Sequence, residues 1–323
     1  MKRLVTLALA AAVGLTLVGR ASAQTSPAQS WPSQPVKLVV PFAPGGGADI
    51  LARLLGDPLS KRLGQPVVIE NKPGAGATIG ADLVAKAAPD GYTMLLTTPG
   101  PQITNPYLMP KLPYDPDKDL VPVAMLVKAV NVLVVTPALP VKSTAELIAY
   151  AKANPGKLNF SSSGVGASSH LSGELFKMLA GIDIVHVPYR GSGPSIQDIL
   201  AGNIQMSIDT VSTMLPHIQS GGMRGIAVAT IEKNPTLPEL PTIAETLPGF
   251  DGSGINYICV PAGTPQPVID RLNKEFTAVL TDPEVVKRMV TAGLTPVVET
   301  QADLIRRVKD EQVKWKKVIE QVK

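Results

Sequence analysis

Short apolar runs alternate with segments of helical periodicity along the first hundred residues of the chain. Residues 36–40, 67–69 and 94–96 are short and apolar, which is typical of buried strands. Between them, apolar residues recur at helical spacing over residues 50–59 and 79–84. This alternation of strands and helices predicts an α/β fold with a mainly parallel sheet and helices on its faces.

Two proline-rich segments interrupt the alternation. Residues 99–122 and 235–248 contain repeated prolines, which indicate loops, and strands and helices resume after each. We interpret these two interruptions as the places where the chain crosses from one lobe to another and back, which predicts two lobes joined by a hinge. We expect lobe 1 to contain residues 24–128 and 251–323, and lobe 2 to contain residues 129–250. Ligand pockets favour interfaces of this kind.

The N-terminus has the features of a secretory signal peptide. Lys2 and Arg3 precede an apolar run over residues 4–18, and residues 21–23 supply the small-x-small pattern of a cleavage site. We therefore expect cleavage after Ala23, so that residues 1–23 form the signal peptide of an exported protein. The alternative, an N-terminal membrane anchor, is disfavoured because a spanning helix needs about 20 apolar residues.

Charge and cysteine content narrow the classes of partner. The formal net charge is +4, but the leader contains Lys2, Arg3 and Arg20 and no acid, which leaves +1 for the rest of the chain. The sequence has no basic cluster of the kind that nucleic acid binding requires, and the lysines in residues 314–317 fit a solvated helix face. A lone cysteine, Cys259, cannot form an internal disulfide, so the hydrophobic core must hold the fold.

The first turn from strand to helix, over residues 41–49, contains candidate binding groups. Consecutive glycines let backbone N–H groups approach a ligand closely, and the free N–H groups at a helix start attract an anion. Asp49 fits the first helical turn, with Arg53 as its i+4 neighbour. A tight turn with an ordinary helix cap is the alternative. The candidates in this turn are Gly45, Gly46, Gly47, Ala48 and Asp49.

Two further turns have a similar composition. Residues 70–80 match neither G-x-G-x-x-G nor a P-loop, so no nucleotide cofactor is expected there. In residues 161–170, hydroxyls and backbone N–H groups converge without a cation, which suits a carboxylate, although a helix cap with solvent-facing serines is the alternative. Asp209 ends a predicted strand and either faces the cleft or caps the next helix. The candidates in the third turn are Ser163, Gly166, Ala167, Ser168 and His170.

Motifs of the common enzyme classes do not occur in the sequence. There is no G-x-S-x-G nucleophile elbow, no H-E-x-x-H and no cysteine cluster, and His170, His186 and His217 lie far apart. We therefore expect no catalytic residues, no metal and no cofactor. A secreted hydrolase with acids that meet only in space stays open as an alternative, as does a structural envelope protein.

Seven motifs spread over nearly the whole mature chain give a more specific signal. They are Pro-Phe-Ala-Pro-Gly-Gly-Gly-Ala-Asp at residues 41–49, Glu-Asn-Lys-Pro-Gly-Ala-Gly at 70–76, Pro-Asp-Gly-Tyr-Thr at 89–93, Tyr-Asp-Pro at 114–116, the serine-rich stretch at 161–174, Val-His-Val-Pro-Tyr-Arg-Gly at 185–191 and Pro-Ala-Gly-Thr-Pro at 261–265. Together they resemble the substrate-binding receptors of tripartite tricarboxylate transporters of Gram-negative bacteria, also called Bug receptors.

The resemblance implies a type II-like, Venus-flytrap periplasmic binding fold with a hinged cleft. In the family, the loops matching residues 45–49 and 163–170 hold one carboxylate of the ligand, partly through water molecules. The position of Asp209 faces the cleft and helps to select the other end of the ligand. Thr98, in the loop after the third strand, and Tyr189, in the sixth motif, complete the expected binding residues.

Two departures from the family pattern predict altered contacts at their positions. Ala48 replaces the hydroxyl residue that many relatives have before the aspartate, and Pro99 and Pro101 flank Gly100 in the loop after the third strand. The expected function is that of a periplasmic, monomeric solute-binding protein. It captures a di- or tricarboxylate, an aromatic acid or an amino acid by lobe closure and passes it to inner-membrane transporter subunits. Delivery to a sensor kinase is a variant of this function.

Overall fold

The computed structural model describes residues 31–322, and residues 32–323 form one compact unit. The predicted signal peptide, residues 1–23, lies outside the described residues. Within residues 31–322, the helices are either too short or too polar to span a bilayer.

Eleven strands and ten α-helices follow one another in the described part of the chain. In chain order they are β1 (Val36–Val40), α1 (Gly47–Leu63), β2 (Val67–Asn71), α2 (Thr78–Ala85), β3 (Thr93–Thr97), α3 (Asn105–Leu108), β4 (Leu120–Ala129), β5 (Asn131–Val135), α4 (Thr144–Ala153), β6 (Asn159–Ser162), α5 (Ser168–Ala180), β7 (Val185–Pro188), α6 (Ser192–Leu200), β8 (Met206–Thr210), α7 (Val211–Gln219), β9 (Arg224–Val228), β10 (Gly254–Pro261), α8 (Gln266–Leu280), α9 (Pro283–Thr291), β11 (Thr295–Pro296) and α10 (Gln301–Val322).

The strands form two sheets. The first sheet has the order β11-β4-β10-β3-β1-β2, and the second has the order β7-β6-β8-β5-β9. In the first sheet, β10 lies between β4 and β3 and is buried along its whole length, as is β5 in the second sheet. These apolar strands form the cores of the two halves because their side chains are covered on both faces.

Both sheets are mixed, whereas the sequence predicted mainly parallel ones. Strands β1, β2 and β3 are parallel, but β10 pairs antiparallel with both β3 and β4. In the second sheet, β6 is parallel to β7 and β8, while β5 is antiparallel to β8 and β9. β5 and β10, which are antiparallel to both of their neighbours, are the first strands after the two crossings of the chain between the halves. At each crossing the chain enters the next sheet from the opposite end. The prediction of an α/β fold with two sheets is confirmed.

The prediction of a loop over residues 99–122 is wrong at both ends of this segment. Residues 100–104 form a single helical turn, and β4 already begins at Leu120. Pro122 argued against a strand because proline cannot donate to the ladder. Here it pairs with Cys259 beside a register shift in β10, where the regular ladder is interrupted. Only Val130 separates β4 from β5.

Candidate ligand-binding site

A cavity lies between the two sheets. Its lining comes from the loops that follow β1, β3 and β6, from the C-terminal end of β8, from the first residues of α1, α5 and α6, and from β10. This is the expected edge for a ligand, since binding loops follow the carboxyl ends of strands in α/β sheets. The lining residues are Phe42, Gly46, Gly47, Ala48, Thr98, Ser163, Ala167, Ser168, Ser192, Asp209, Thr210 and Asn256.

Four helices begin at this cavity. Helix α1 starts from the first sheet, and α5, α6 and α7 start from the second, with Gly46, Ala167, Gly191 and Thr210 as their N-caps. None of these four N-caps has a side-chain oxygen that accepts a hydrogen bond from a backbone N–H of its own helix. The first N–H groups of a helix lack intrahelical partners and carry partial positive charge. The arrangement can therefore hold an anion without a basic side chain.

Asp49 fixes the turn before α1 but does not line the cavity. Its Oδ2 accepts hydrogen bonds from the Gly45 N–H and from Arg53 Nε, both at 2.9 Å, and its Oδ1 accepts one from Asn71 Nδ2 at 3.0 Å. Burial favours a higher pKa for Asp49, but hydrogen bonds from Arg53, Gly45 and Asn71 outweigh it and hold the pKa below its ordinary value. Gly45 has φ +83°, a conformation that suits glycine.

The turn before α5 is held by hydrogen bonds within itself. Ser169 Oγ accepts from the Ser163 N–H at 2.9 Å, and His170 Nδ1 accepts from the Gly166 N–H at 3.2 Å. These bonds direct Ser163, Ala167 and Ser168 toward the cavity. The hydroxyls and the histidine of the predicted motif therefore shape the turn, so that its ligand-facing groups are in place before a ligand arrives.

The loops of the two halves touch across the cavity. A Cβ added at Gly47 would lie 2.7 Å from Thr210 Oγ1. The Ala43 N–H donates to the Arg190 carbonyl at 3.1 Å, and Thr104 Oγ1 donates to the Gly166 carbonyl at 2.9 Å. The structure is thus a closed arrangement of the two halves, in which glycine at position 47 permits the close approach.

Asp209 is the one ionisable side chain in the cavity lining. It is 2% exposed, and its Oδ2 accepts from Ser192 Oγ at 2.8 Å while its Oδ1 accepts from the Thr210 N–H at 2.7 Å. Burial raises the pKa of Asp209 to about 6, and the bonds from Ser192 and Thr210 oppose that rise. The sequence left a cleft position and a surface helix cap open; Asp209 lies buried in the cavity wall, and the N-cap of α7 is Thr210 instead.

Thr98 offers an unused hydroxyl at the opposite wall. Its side chain is 7% exposed, and its Oγ1 has no hydrogen-bond partner among the described residues. A buried polar group without a partner is costly, and a ligand atom in the cavity can satisfy it. The nearby Pro99 and Pro101 leave Thr98 in the cavity wall.

Most of the predicted binding residues come together in the structure, and five lie outside the lining. Tyr189 belongs to a smaller adjoining cavity, and its hydroxyl donates to Asp198. Those in the lining are Gly46, Gly47, Ala48, Thr98, Ser163, Ala167, Ser168 and Asp209. Those outside it are Gly45, Asp49, Gly166, His170 and Tyr189.

Four lining residues were not predicted: Phe42, Ser192, Thr210 and Asn256. Phe42 and Thr210 adjoin predicted residues, and Ser192 follows the glycine of the sixth motif at a strand-to-helix turn, so local signals for these three existed. Asn256 lies within β10, and no turn marks it in the sequence. It reaches the site because β10 returns to the first sheet from the far end of the chain.

His170, Glu174 and His186 form a cluster behind the turn before α5, with ligand atoms within 4.8 Å of one another. Burial lowers the pKa of His170 to about 4 and that of His186 to about 3, so both rings are neutral near pH 7. His170 Nδ1 accepts from the Gly166 N–H, which assigns the ring proton to Nε2 on the side of Glu174. That nitrogen has no lone pair for a metal, so the cluster in this arrangement does not fit a metal ion.

Comparisons with known proteins identify the family. A model described as tripartite tricarboxylate transporter family receptor matches residues 51–323. Protein BugT of Bordetella pertussis is 37% identical over 96% of each chain. A Rhodopseudomonas palustris protein solved with adipate, Rpa4515, is 38% identical with a TM-score of 0.88, over 90% of this chain and 98% of its own. MatC from the same organism, solved with malate, is 34% identical with a TM-score of 0.85, over 90% and 100%.

These relatives share the two-sheet fold over nearly their whole length, and the family consists of substrate-binding receptors. The prediction that the protein is not an enzyme is confirmed on that ground. The chain belongs to the receptor family of the tripartite tricarboxylate transporters.

Proposed function

We propose that the protein is exported to the periplasm by cleavage after Ala23 and binds a small dicarboxylate in the cavity between the sheets. It then presents this ligand to the inner-membrane subunits of a tripartite tricarboxylate transporter. Family membership supports the receptor role. The neighbours solved with adipate and malate, which are both dicarboxylates, support the ligand class. We propose that the protein acts as a monomer.

The convergence of four uncapped helix N-termini on one cavity carries this proposal. The N-termini come from both halves, so a bound carboxylate would make contacts that exist together only when the halves are closed. Each hydrogen bond to a charged group contributes about 1.5–3 kcal/mol. Several such bonds would favour the closed form over an open one, and a ligand drives a conformational change only by such a difference.

The lobes of the proposed receptor are residues 24–128 with 251–323 and residues 129–250. In support, strands β1 to β4, β10 and β11 form one sheet and β5 to β9 form the other. The chain crosses between the sheets at Val130 and again between β9 and β10, and we propose that these segments act as the hinge. Closure about a few residues at element ends is a common mechanism in binding proteins.

Replacement of Ser168 by aspartate tests the proposed anion site. Ser168 is the first residue of α5 and lines the cavity, so a fixed negative charge there would repel the ligand carboxylate. We expect the affinity for adipate or malate, measured by isothermal titration calorimetry, to fall about 100-fold or more, which corresponds to about 2.7 kcal/mol.

Gln266→Asp is the matched control, because Gln266 is the first residue of α8 and is exposed to solvent. It should bind as the wild type does. Wild-type protein that binds none of adipate, malate, citrate, benzoate and common amino acids would contradict the proposed function. Equal affinities in Ser168→Asp and wild type would contradict the proposed site.

A further inference from the structure

The cavity proposed for an anionic ligand has an acid as its sole ionisable lining side chain. Asp209 is 2% exposed, and the other lining residues are glycine, alanine, phenylalanine, serine, threonine and asparagine. A carboxylate has about four acceptor positions. Ser192 Oγ and the Thr210 N–H each bond one of its oxygens, which leaves acceptor capacity on both. A ligand carboxylate would therefore share this space with a second carboxylate.

The neighbouring charged groups do not compensate this pair. On α1, Asp49 and Arg53 are paired with each other at 2.9 Å outside the lining. On α6, Asp198 accepts from Tyr189 and Asn203. On α5, His170 is neutral near pH 7, and the carboxyl of Glu174 lies on the side of His170 Nε2.

The remaining elements around Asp209 also bring no cation into the lining. On β5, its ladder partner is Val132, and the ionisable residue of α7 is His217, in the last turn of that helix. Arg190, which precedes α6, lines the smaller adjoining cavity instead. Two ionised carboxylates in one buried space without a cationic side chain repel each other strongly, because the surroundings screen them poorly and the helix N-termini carry only partial positive charges.

We propose that the receptor takes up one proton when it binds its dicarboxylate, and that this proton is shared between Asp209 and the ligand carboxyl that lies beside it. The inference rests on the proposed function and specifies it further. Two carboxyl groups that share one proton are stable where two ionised ones are not. A ligand with its own donor at that end is the competing possibility. Ionised adipate, with which one neighbour was solved, has no O–H or N–H group, whereas malate, with which another was solved, has a hydroxyl, so the two ligands distinguish these possibilities.

The environment of Asp209 makes protonation accessible under ordinary conditions. Burial in the closed structure raises its pKa to about 6, so closure of the cavity favours the protonated form of this carboxyl. Above its pKa, each further pH unit should weaken the binding of a fully ionised dicarboxylate up to tenfold, because one proton must be supplied from solution. Below the pKa the affinity should level off, since the proton is already present.

Calorimetry with adipate and with malate tests the inference. Titrations at pH 7.5 in phosphate and in Tris, which have different ionisation enthalpies, give the number of protons taken up on binding. We expect a value near one for the wild type, together with an affinity that falls between pH 6.5 and pH 8.5.

Asp209→Asn keeps the shape of the side chain and removes its titration. We expect proton uptake near zero in this variant, and an affinity at pH 8.5 that equals or exceeds that of the wild type. Asp183→Asn, at an exposed position, and Glu174→Gln, at a half-buried acid of α5 whose pKa is raised by burial, should keep the proton uptake of the wild type. Thermal unfolding of each variant verifies that it is folded, and the wild-type measurement stands without the variants.

Wild-type binding without proton uptake would overturn this inference and leave the proposed function in place. Proton uptake that persists in Asp209→Asn would overturn the assignment to Asp209. Absence of binding by any carboxylate between pH 5.5 and pH 8.5 would refute the proposed function and this inference together.

Discussion

Gly47 and Gly46 are adjacent in the sequence but differ in the space around them. A Cβ at Gly47 would lie 2.7 Å from Thr210 Oγ1 and 3.2 Å from Ser212 Oγ, whereas a Cβ at Gly46 would lie 3.7 Å from its nearest neighbours. Gly47 therefore cannot accept a methyl group while the halves are closed unless Thr210 shifts, whereas Gly46 can. Both lie in the same glycine run, so the sequence alone gave no means to tell them apart.

The pair Gly47→Ala and Gly46→Ala separates closure from loss of a flexible turn. We expect Gly47→Ala to lower ligand affinity about tenfold, since overpacking at a closed contact costs on the order of 1–3 kcal/mol. Its ligand-free melting temperature should change little, because an open form relieves the contact. Gly46→Ala should retain most of the affinity. Calorimetry and thermal unfolding measure both quantities, and equal losses in the two variants would contradict the closed contact.

The elements that shape the site differ in how much of them the sequence reveals. The turns before α1 and α5 were predictable because glycines, hydroxyls and Asp49 are local signals whose bonds stay within a few residues. Strand β4 and Asn256 were not, because their places depend on pairing with segments more than a hundred residues away. The α/β alternation predicted the two sheets, but the strand directions depend on the crossings, which leave no local pattern.

The turn before α5 also depends on two neutral histidines behind it. Burial lowers the pKa of His170 to about 4 and that of His186 to about 3 from an ordinary 6.5. As pH falls below about 6.5, the unfolded chain binds protons that the folded protein excludes, so the free energy of unfolding falls. This loss continues until the pH approaches the folded pKa values. Each histidine should cost about 1–2 kcal/mol at pH 5.

His186→Gln should remove about half of this histidine contribution. We expect the free energy of unfolding, measured by urea denaturation at pH 7 and pH 5, to fall about 1–2 kcal/mol less in the variant than in the wild type. Asp209 and Glu174 have raised pKa values and act in the opposite direction in both proteins, so the difference between the proteins isolates the histidine. The same pH dependence in both would contradict the exclusion of protons from this cluster.

At the scale of the whole molecule, the closed form depends on contacts that the ligand itself does not make. Thr104 Oγ1 donates to the Gly166 carbonyl of the other half at 2.9 Å, and neither residue lines the cavity. Thr104 is fully buried in the closed structure, so its hydroxyl cannot bond to water in place of the Gly166 carbonyl. Such a bond adds to the apparent ligand affinity by favouring the closed population, since ligand and contact stabilise the same form.

Thr104→Val tests this coupling without touching the ligand. The substitution removes a hydrogen bond worth about 0.5–1.5 kcal/mol, so we expect ligand affinity to fall about three- to tenfold. Small-angle scattering should show a more open ligand-free protein than the wild type. Thr264→Val is the matched control, because the Thr264 hydroxyl donates to the Pro261 carbonyl within the same half. If both variants lost affinity equally, or neither did, closure would not depend on the Thr104 contact, and the energy of ligand capture would have to reside in the cavity alone.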